Sequence, residues 1–151
     1  MPEELHSLLQ FNDKRILFVG IGNLLKMDDG VGVYISSRIR NISGISSLTV
    51  EVSIENYIGK INSLNPDILV LIDCVDMKLP PGSCKLIPVS QTEDLTFNTH
   101  NISLRRVSDF FEMEVYLMGI QPEKIDFGEN MSYIVKEEAD KIITFINSFE
   151  K

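Results

Sequence analysis

Apolar and polar positions alternate along the chain in segments that are typical first of a strand and then of a helix. Two segments are apolar throughout, ILFV at residues 16–19 and ILVLI at residues 68–72. Continuous apolar runs are typical of strands covered on both faces, so we predict that these two strands lie centrally, side by side or nearly so. The predicted strands cover residues 15–19, 48–54, 67–72, 83–88 and 115–120.

Helical spacing of apolar residues predicts the connections between these strands. The predicted helices cover residues 30–40, 57–64, 102–112 and 132–149, and in the last of them Glu137 and Lys141 are spaced to pair one turn apart. The connection before the fourth strand holds the turn sequence PPG at residues 80–82 and is too short for a helical crossover, which predicts an antiparallel strand. The sequence therefore predicts an α/β fold with three layers. Its sheet has five strands, mostly parallel with one antiparallel strand, and helices cover both faces.

Composition narrows the class of protein. The chain has 151 residues, of which 44% are hydrophobic, and this predicts a single domain over residues 1–151 with an N-terminal extension at residues 1–13. The net charge of −8 argues against a nucleic-acid partner, because such binding needs clustered cations. The start of the chain is acidic and lacks the pattern of a signal peptide, and no apolar run has the length of a membrane span. We therefore expect a cytoplasmic protein without membrane insertion.

The sequence does not favour a serine or cysteine nucleophile. Cys74 and Cys84 form neither a CxxC pair nor a four-ligand metal pattern, so we expect two free thiols with structural roles. The chain contains no GxSxG elbow, no HExxH zinc helix and no P-loop.

Acidic residues follow two of the predicted strands. Asp28 and Asp29 lie on a glycine-rich loop after the first strand, Asp73 ends the third, and His100 precedes a predicted helix. Ligands of open α/β sheets bind beyond the carboxyl ends of the strands, and two carboxylates with one imidazole favour a catalytic or exchangeable metal with open positions. The alternative is structural. The acidic pair then favours a helix N-terminus, Asp73 caps a turn, and His100 lies in an exposed loop.

Two other readings fit less well. The sequence GIG at residues 20–22 resembles part of a dinucleotide fingerprint, but Leu25 replaces the third glycine and the acidic pair would repel a phosphate. A receiver-like domain that binds magnesium and accepts a phosphoryl group on Asp73 is the alternative function. Against it, a long segment separates the first strand from the acidic pair, and GIQP at residues 119–122 stands where a receiver has lysine.

Four motifs, taken in order, resemble those of the nickel-iron hydrogenase maturation endopeptidases. They are GIGNLLKMDDGVGV at residues 20–33, IDCVD at 72–76, TH at 99–100, and GIQPEKIDFG at 119–128 followed by Ser132. The segment ENYIG at residues 55–59 stands where one branch of the family is glycine-rich. The chain therefore looks most like the branch that serves membrane-bound, hydrogen-evolving enzymes.

The resemblance implies an aspartyl endopeptidase that removes the C-terminal extension of a hydrogenase large-subunit precursor after nickel insertion. It maps the metal ligands onto Asp29, Asp73 and His100 and leaves Asp28 as the non-ligating member of the acidic pair. Nickel is then supplied by the substrate precursor, and another divalent cation can take its place in a purified sample. Two alternatives are open for the catalytic step. In one, Asp29 or Asp73 acts as general base, and in the other nickel lowers the pKa of water.

Overall fold

The computed structural model describes residues 1–10, 13–51, 53–91 and 104–149. Within them, five strands form one sheet in the order β2-β1-β3-β5-β4. Neighbouring strands are parallel except for β4 and β5, which pair antiparallel. The predicted sheet and its single antiparallel strand are thus confirmed. The strands are β1 (Ile16–Ile21), β2 (Ile45–Glu51), β3 (Ile68–Cys74), β4 (Cys84–Pro88) and β5 (Glu114–Ile120).

The two continuous apolar runs form adjacent central strands, as predicted. Strands β1 and β3 are buried along their whole length. Their register runs from Ile16 opposite Ile68 to Gly20 opposite Ile72. Because the two strands run parallel to each other, their carboxyl ends lie at the same edge of the sheet, where ligands of such folds bind.

Helices cover both faces of the sheet, which confirms the predicted three layers. Helices α1, α2 and α5 contribute buried side chains to one face, and α3 and α4 contribute to the other. The predicted pair on α5 is present, with Lys141 Nζ 3.7 Å from Glu137 Oε1. The helices are α1 (Glu3–Leu9), α2 (Val31–Ser36), α3 (Ile58–Leu64), α4 (Leu104–Ser108) and α5 (Tyr133–Asn147).

Three elements differ from their predicted bounds by three residues or more. Strand β2 begins at Ile45 rather than at residue 48, because Ile45 pairs with Ile16 at the start of β1, and it ends at Glu51 rather than at residue 54. Helix α2 is shorter than predicted, and a 3₁₀ turn at Met27–Gly30 precedes it. The predicted third helix is found as α4, but it ends at Ser108 rather than at residue 112, because the N–H groups of residues 109–111 bond to carbonyls three residues back, as in turns. Residues 102–103 of that prediction lie outside the described residues.

Helix α1 was not predicted. Its buried residues, Leu5, Leu8 and Leu9, pack into the same apolar cluster as α5. Positions i, i+3 and i+4 are the helical pattern, but these three residues span too short a segment to stand out in the sequence. Within the described residues, no helix has both the length and the apolar character needed to cross a membrane.

Candidate active site

Close backbone packing sets the position of helix α2 at the carboxyl edge of the sheet. A Cβ atom placed on Gly32 would lie 2.3 Å from the carbonyl oxygen of Ile72 and 2.4 Å from that of Ile21. The start of α2 therefore fits between the ends of β3 and β1 only because Gly32 has no side chain. This packing holds the 3₁₀ turn with Asp28 and Asp29 beside the end of β3, where Asp73 lies.

The glycine-rich loop after β1 packs on its own backbone. Gly22 has a φ of +149°, and a Cβ atom there would lie 2.0 Å from the carbonyl oxygen of Asp29. The next residue, Asn23, donates its backbone N–H to Asp29 Oδ2 at 3.0 Å. The first glycines thus let the loop fold tightly around Asp29, and they do not form the phosphate cradle of a dinucleotide site.

Three carboxylates are buried at this edge. Asp28 and Asp73 are 0% exposed, and Asp29 is 1% exposed. Asp73 Oδ1 accepts a hydrogen bond from the backbone N–H of Cys74 at 2.8 Å. Taking several carboxylates out of water in one place is costly, and hydrogen-bond donors or a cation offset that cost. The fold therefore concentrates three acidic side chains at one edge of the sheet.

Asp28 and Asp29 differ in what they contact. Asp28 accepts hydrogen bonds from the backbone N–H of Glu123 at 2.8 Å, of Lys124 at 2.8 Å and of Ser132 at 2.7 Å. A fourth comes from the Ser132 hydroxyl at 2.7 Å. With both oxygens engaged by the segment 123–132, Asp28 has a structural role. Its expected place as the non-ligating member of the pair stays a prediction.

The cysteines are poor nucleophiles. Both are free thiols, as predicted. Burial raises the pKa of the Cys74 thiol, and the negative charges of Asp73 and Asp29 raise it further. Burial and then the charge of Glu138 raise the pKa of Cys84 to about 12. Both thiols are therefore protonated at neutral pH, whereas a cysteine nucleophile reacts as the thiolate.

The third predicted ligand, His100, lies outside the described residues. Across residues 1–10, 13–51, 53–91 and 104–149, no three His, Cys, Asp or Glu side chains are grouped to hold a metal ion. The structure thus brings Asp29 and Asp73 to one edge of the sheet, and their predicted coordination of a metal together with His100 stays a prediction.

Sequence reasoning missed one buried polar residue beside the site, Gln121, which is 7% exposed. Its Oε1 accepts hydrogen bonds from the backbone N–H of Met77 at 2.6 Å and of Leu79 at 3.3 Å. Its Nε2 donates to Asp76 Oδ1 at 3.1 Å. The motif GIQP marked this position, but no spacing in the sequence indicates that the side chain holds the loop after Asp73.

Comparisons with known proteins now identify the family. The model of the HycI hydrogenase maturation protease family matches residues 52–148. The chain belongs to the hydrogenase maturation proteases. It is therefore a hydrolase, an endopeptidase.

Individual relatives agree with this membership along most of the chain. The hydrogenase 3 maturation protease of Escherichia coli K12 is 27% identical over 136 residues, which are 86% of this chain and 87% of the relative. The crystal structure of HycI from Thermococcus kodakarensis superposes with a TM-score of 0.82 at 25% identity, covering 95% of this chain and 97% of the other. The solution structure of the endopeptidase HycI from E. coli gives a TM-score of 0.79 at 25% identity, covering 90% and 91%.

The sheet also separates this fold from the receiver-like alternative. Receiver domains have a wholly parallel sheet in the order 2-1-3-4-5. Here β5 follows β3 and the antiparallel β4 takes the outer position. The antiparallel outer strand distinguishes this sheet from that of a receiver, and the alternative loses its structural support.

Proposed function

We propose that this maturation protease removes the C-terminal extension of a nickel-iron hydrogenase large-subunit precursor after nickel has been inserted. The observation that carries the proposal is the pair of buried carboxylates, Asp29 and Asp73. The 3₁₀ turn before α2 and the end of β3 present them at one edge of the sheet in a protein of this family. The partner is the precursor itself.

Nickel enters this proposal as part of the substrate. Asp29, Asp73 and His100 would complete the coordination of a nickel ion that the precursor already holds. A metal held from both sides anchors the segment to be cut and makes cleavage nearly intramolecular. The same contact gives specificity, because a precursor without nickel lacks the anchor.

Two ways of activating water fit the carboxylates. In one, Asp29 or Asp73 accepts the proton of the attacking water as general base. In the other, the metal lowers the pKa of the water and the carboxylates only hold the metal. The buried, protonated thiol of Cys74 contributes to neither route.

The experiment that tests the function offers the protein two substrates. One sample receives nickel-loaded precursor, and another receives acetyl phosphate as a small phosphoryl donor. Intact mass spectrometry should show a precursor shortened by one C-terminal fragment and no mass added to the protease. A stable phosphoryl adduct on Asp73 with an intact precursor would instead support the receiver-like function.

His100 is tested by substitution with alanine. If the imidazole is a metal ligand, His100→Ala should abolish trimming of the precursor, because one of three contacts to the metal is lost. Stability should remain close to that of the wild type if the side chain is exposed. Trimming at the wild-type rate would remove His100 from the proposed site.

A further inference from the structure

Residues 121–132 contact the loop that follows Asp73 and the 3₁₀ turn that carries Asp29. The segment begins directly after β5 at Gln121 and ends at Ser132, just before α5. Along its length it bonds first to the loop after β3 and then to the turn before α2. The proposed catalytic step gives residues 121–132 no role.

The first end of the segment is fastened to the loop that follows Asp73. Besides the three side-chain hydrogen bonds of Gln121 to residues 76–79, its backbone N–H donates to Ser83 O at 2.8 Å. Its carbonyl oxygen accepts from Gly82 N at 2.9 Å. A single side chain amide thus satisfies two backbone donors and one carboxylate in a loop without regular secondary structure.

The second end is fastened to the turn that carries Asp29. In addition to the four hydrogen bonds to the Asp28 carboxylate, Asp28 N donates to Lys124 O at 3.0 Å. Met27 N donates to Gly128 O at 2.8 Å, and Gly128 N donates to Leu25 O at 2.9 Å. A buried carboxylate with four donors is a strong attachment, because each bond to a charged acceptor is stronger than a neutral one.

We propose that residues 121–132 form a brace that fixes the turn carrying Asp29 relative to the strand end carrying Asp73, with Asp28 and Gln121 as its two positioning residues. The inference rests on the proposed function only in assigning catalysis to Asp29 and Asp73. Neither Asp28 nor Gln121 touches the reacting groups. Each acts through the loop that it holds.

If residues 121–132 act as one brace, a substitution at one end should loosen the backbone at the other end. Supports that act only locally would not have this effect. Asp28→Asn replaces one acceptor oxygen by an NH2 group that faces backbone donors, and it should release the second end. Hydrogen exchange of the Met77 and Leu79 amides, held by Gln121 at the first end, should then quicken by about 10-fold or more. Gln121→Leu should in turn quicken exchange of the Met27 and Asp28 amides. This measurement, made by NMR, needs no substrate.

Precursor trimming gives a second readout. At saturating nickel-loaded precursor, each variant should lower kcat by about 10- to 100-fold, because small displacements of reacting groups have effects of that size. The Asp28→Asn/Gln121→Leu double variant should lose about as much kcat as the more damaging of the two single variants. Independent sites would instead give the product of the two losses.

Matched controls lie at the opposite edge of the sheet. Asp67 accepts a hydrogen bond from the backbone N–H of Arg15 at 2.7 Å, and Asn62 bonds through its side-chain amide to Phe110 O and Glu112 N. Asp67→Asn and Asn62→Leu should leave kcat within about 2-fold of the wild type. If Asp28→Asn fails to fold, Ser132→Ala removes only the hydroxyl contact to Asp28 and keeps the backbone one. Gln121→Glu keeps the acceptor while losing the donor to Asp76.

Two results overturn the brace. One is quickened exchange confined to the end that carries the substitution. The other is a double variant whose loss equals the product of the single losses. Failure of the wild-type protein to trim any precursor would count against the proposed function alone, because the exchange measurement is independent of it.

Discussion

At the scale of single residues, Asp28 and Asp29 show how adjacent identical side chains take different roles. Asp28 points its oxygens at four donors of the segment 123–132, whereas Asp29 receives the backbone N–H of Asn23 within its own loop. The adjacent residues on the 3₁₀ turn contact different parts of the molecule. The division of roles therefore follows from backbone geometry.

Neutralising either proposed catalytic carboxylate should separate activity from stability. Asp29→Asn and Asp73→Asn should each lower kcat for precursor trimming by at least about 100-fold, the usual loss when a general base is removed. Stability should stay equal or rise, because each change removes a buried charge beside Asp28. Trimming rates and urea unfolding measure the two effects.

Asp67→Asn is the control for this pair. Asp67 lies at the opposite edge of the sheet and also accepts a backbone hydrogen bond. Its substitution should leave the trimming rate unchanged. Wild-type rates for both Asp29→Asn and Asp73→Asn would exclude these carboxylates from the chemistry.

The raised pKa of Cys84 predicts how stability changes in alkaline solution. The thiol has a pKa of about 12 in the folded protein against 9.0 for its ordinary value, mainly because it is buried. Between these values the unfolded chain loses a proton that the folded chain keeps, so the Cys84 contribution to stability falls as pH rises. The stability difference between wild type and Cys84→Ala should therefore shrink as pH rises from about 9 to about 10.5, measured by urea unfolding. A difference that grows over this range would contradict the assignment.

At the scale of elements, the candidate site depends on how closely helix α2 approaches the sheet. Gly32 lies against the carbonyl oxygens of Ile21 and Ile72, and a Cβ on Gly20 would meet the Ser36 hydroxyl at 2.1 Å. The helix therefore has little freedom to shift along β1 and β3. Since the turn with Asp29 leads directly into α2, the helix fixes that turn at the edge of the sheet.

Substituting Gly32 with alanine tests this close packing. The new Cβ would meet backbone atoms of two central strands, which cannot move aside as a flexible side chain can. We expect Gly32→Ala to lower the free energy of unfolding by about 3 kcal/mol or more. The trimming rate should fall at the same time, because the displaced helix carries the Asp29 turn with it.

Gly59 in helix α3 provides the matched control, since a Cβ there would meet nothing within 4 Å. Gly59→Ala should raise stability by about 0.5 kcal/mol through the lower entropy of the unfolded chain. Equal effects of the two substitutions, measured by urea unfolding, would show that the tight packing at Gly32 does not constrain the helix.

At the scale of the whole molecule, the sequence predicts the sheet better than it predicts the attachments around the site. Continuous apolar runs such as residues 68–72 mark central strands, and the short connection through residues 80–82 indicates the antiparallel strand. Proximity of Asp29 and Asp73 follows from parallel strands ending at one edge. The contacts of Asp28 and Gln121 could not be predicted, because their partners lie far away in sequence and carry no periodic signal.

The most direct test of the central claim compares two forms of one precursor. Wild-type protease is incubated with the nickel-loaded and with the nickel-free large-subunit precursor at equal concentration, and intact mass is followed over time. We expect that only the nickel-loaded precursor loses a single C-terminal fragment. Equal trimming of both forms would contradict recognition through a metal carried by the substrate.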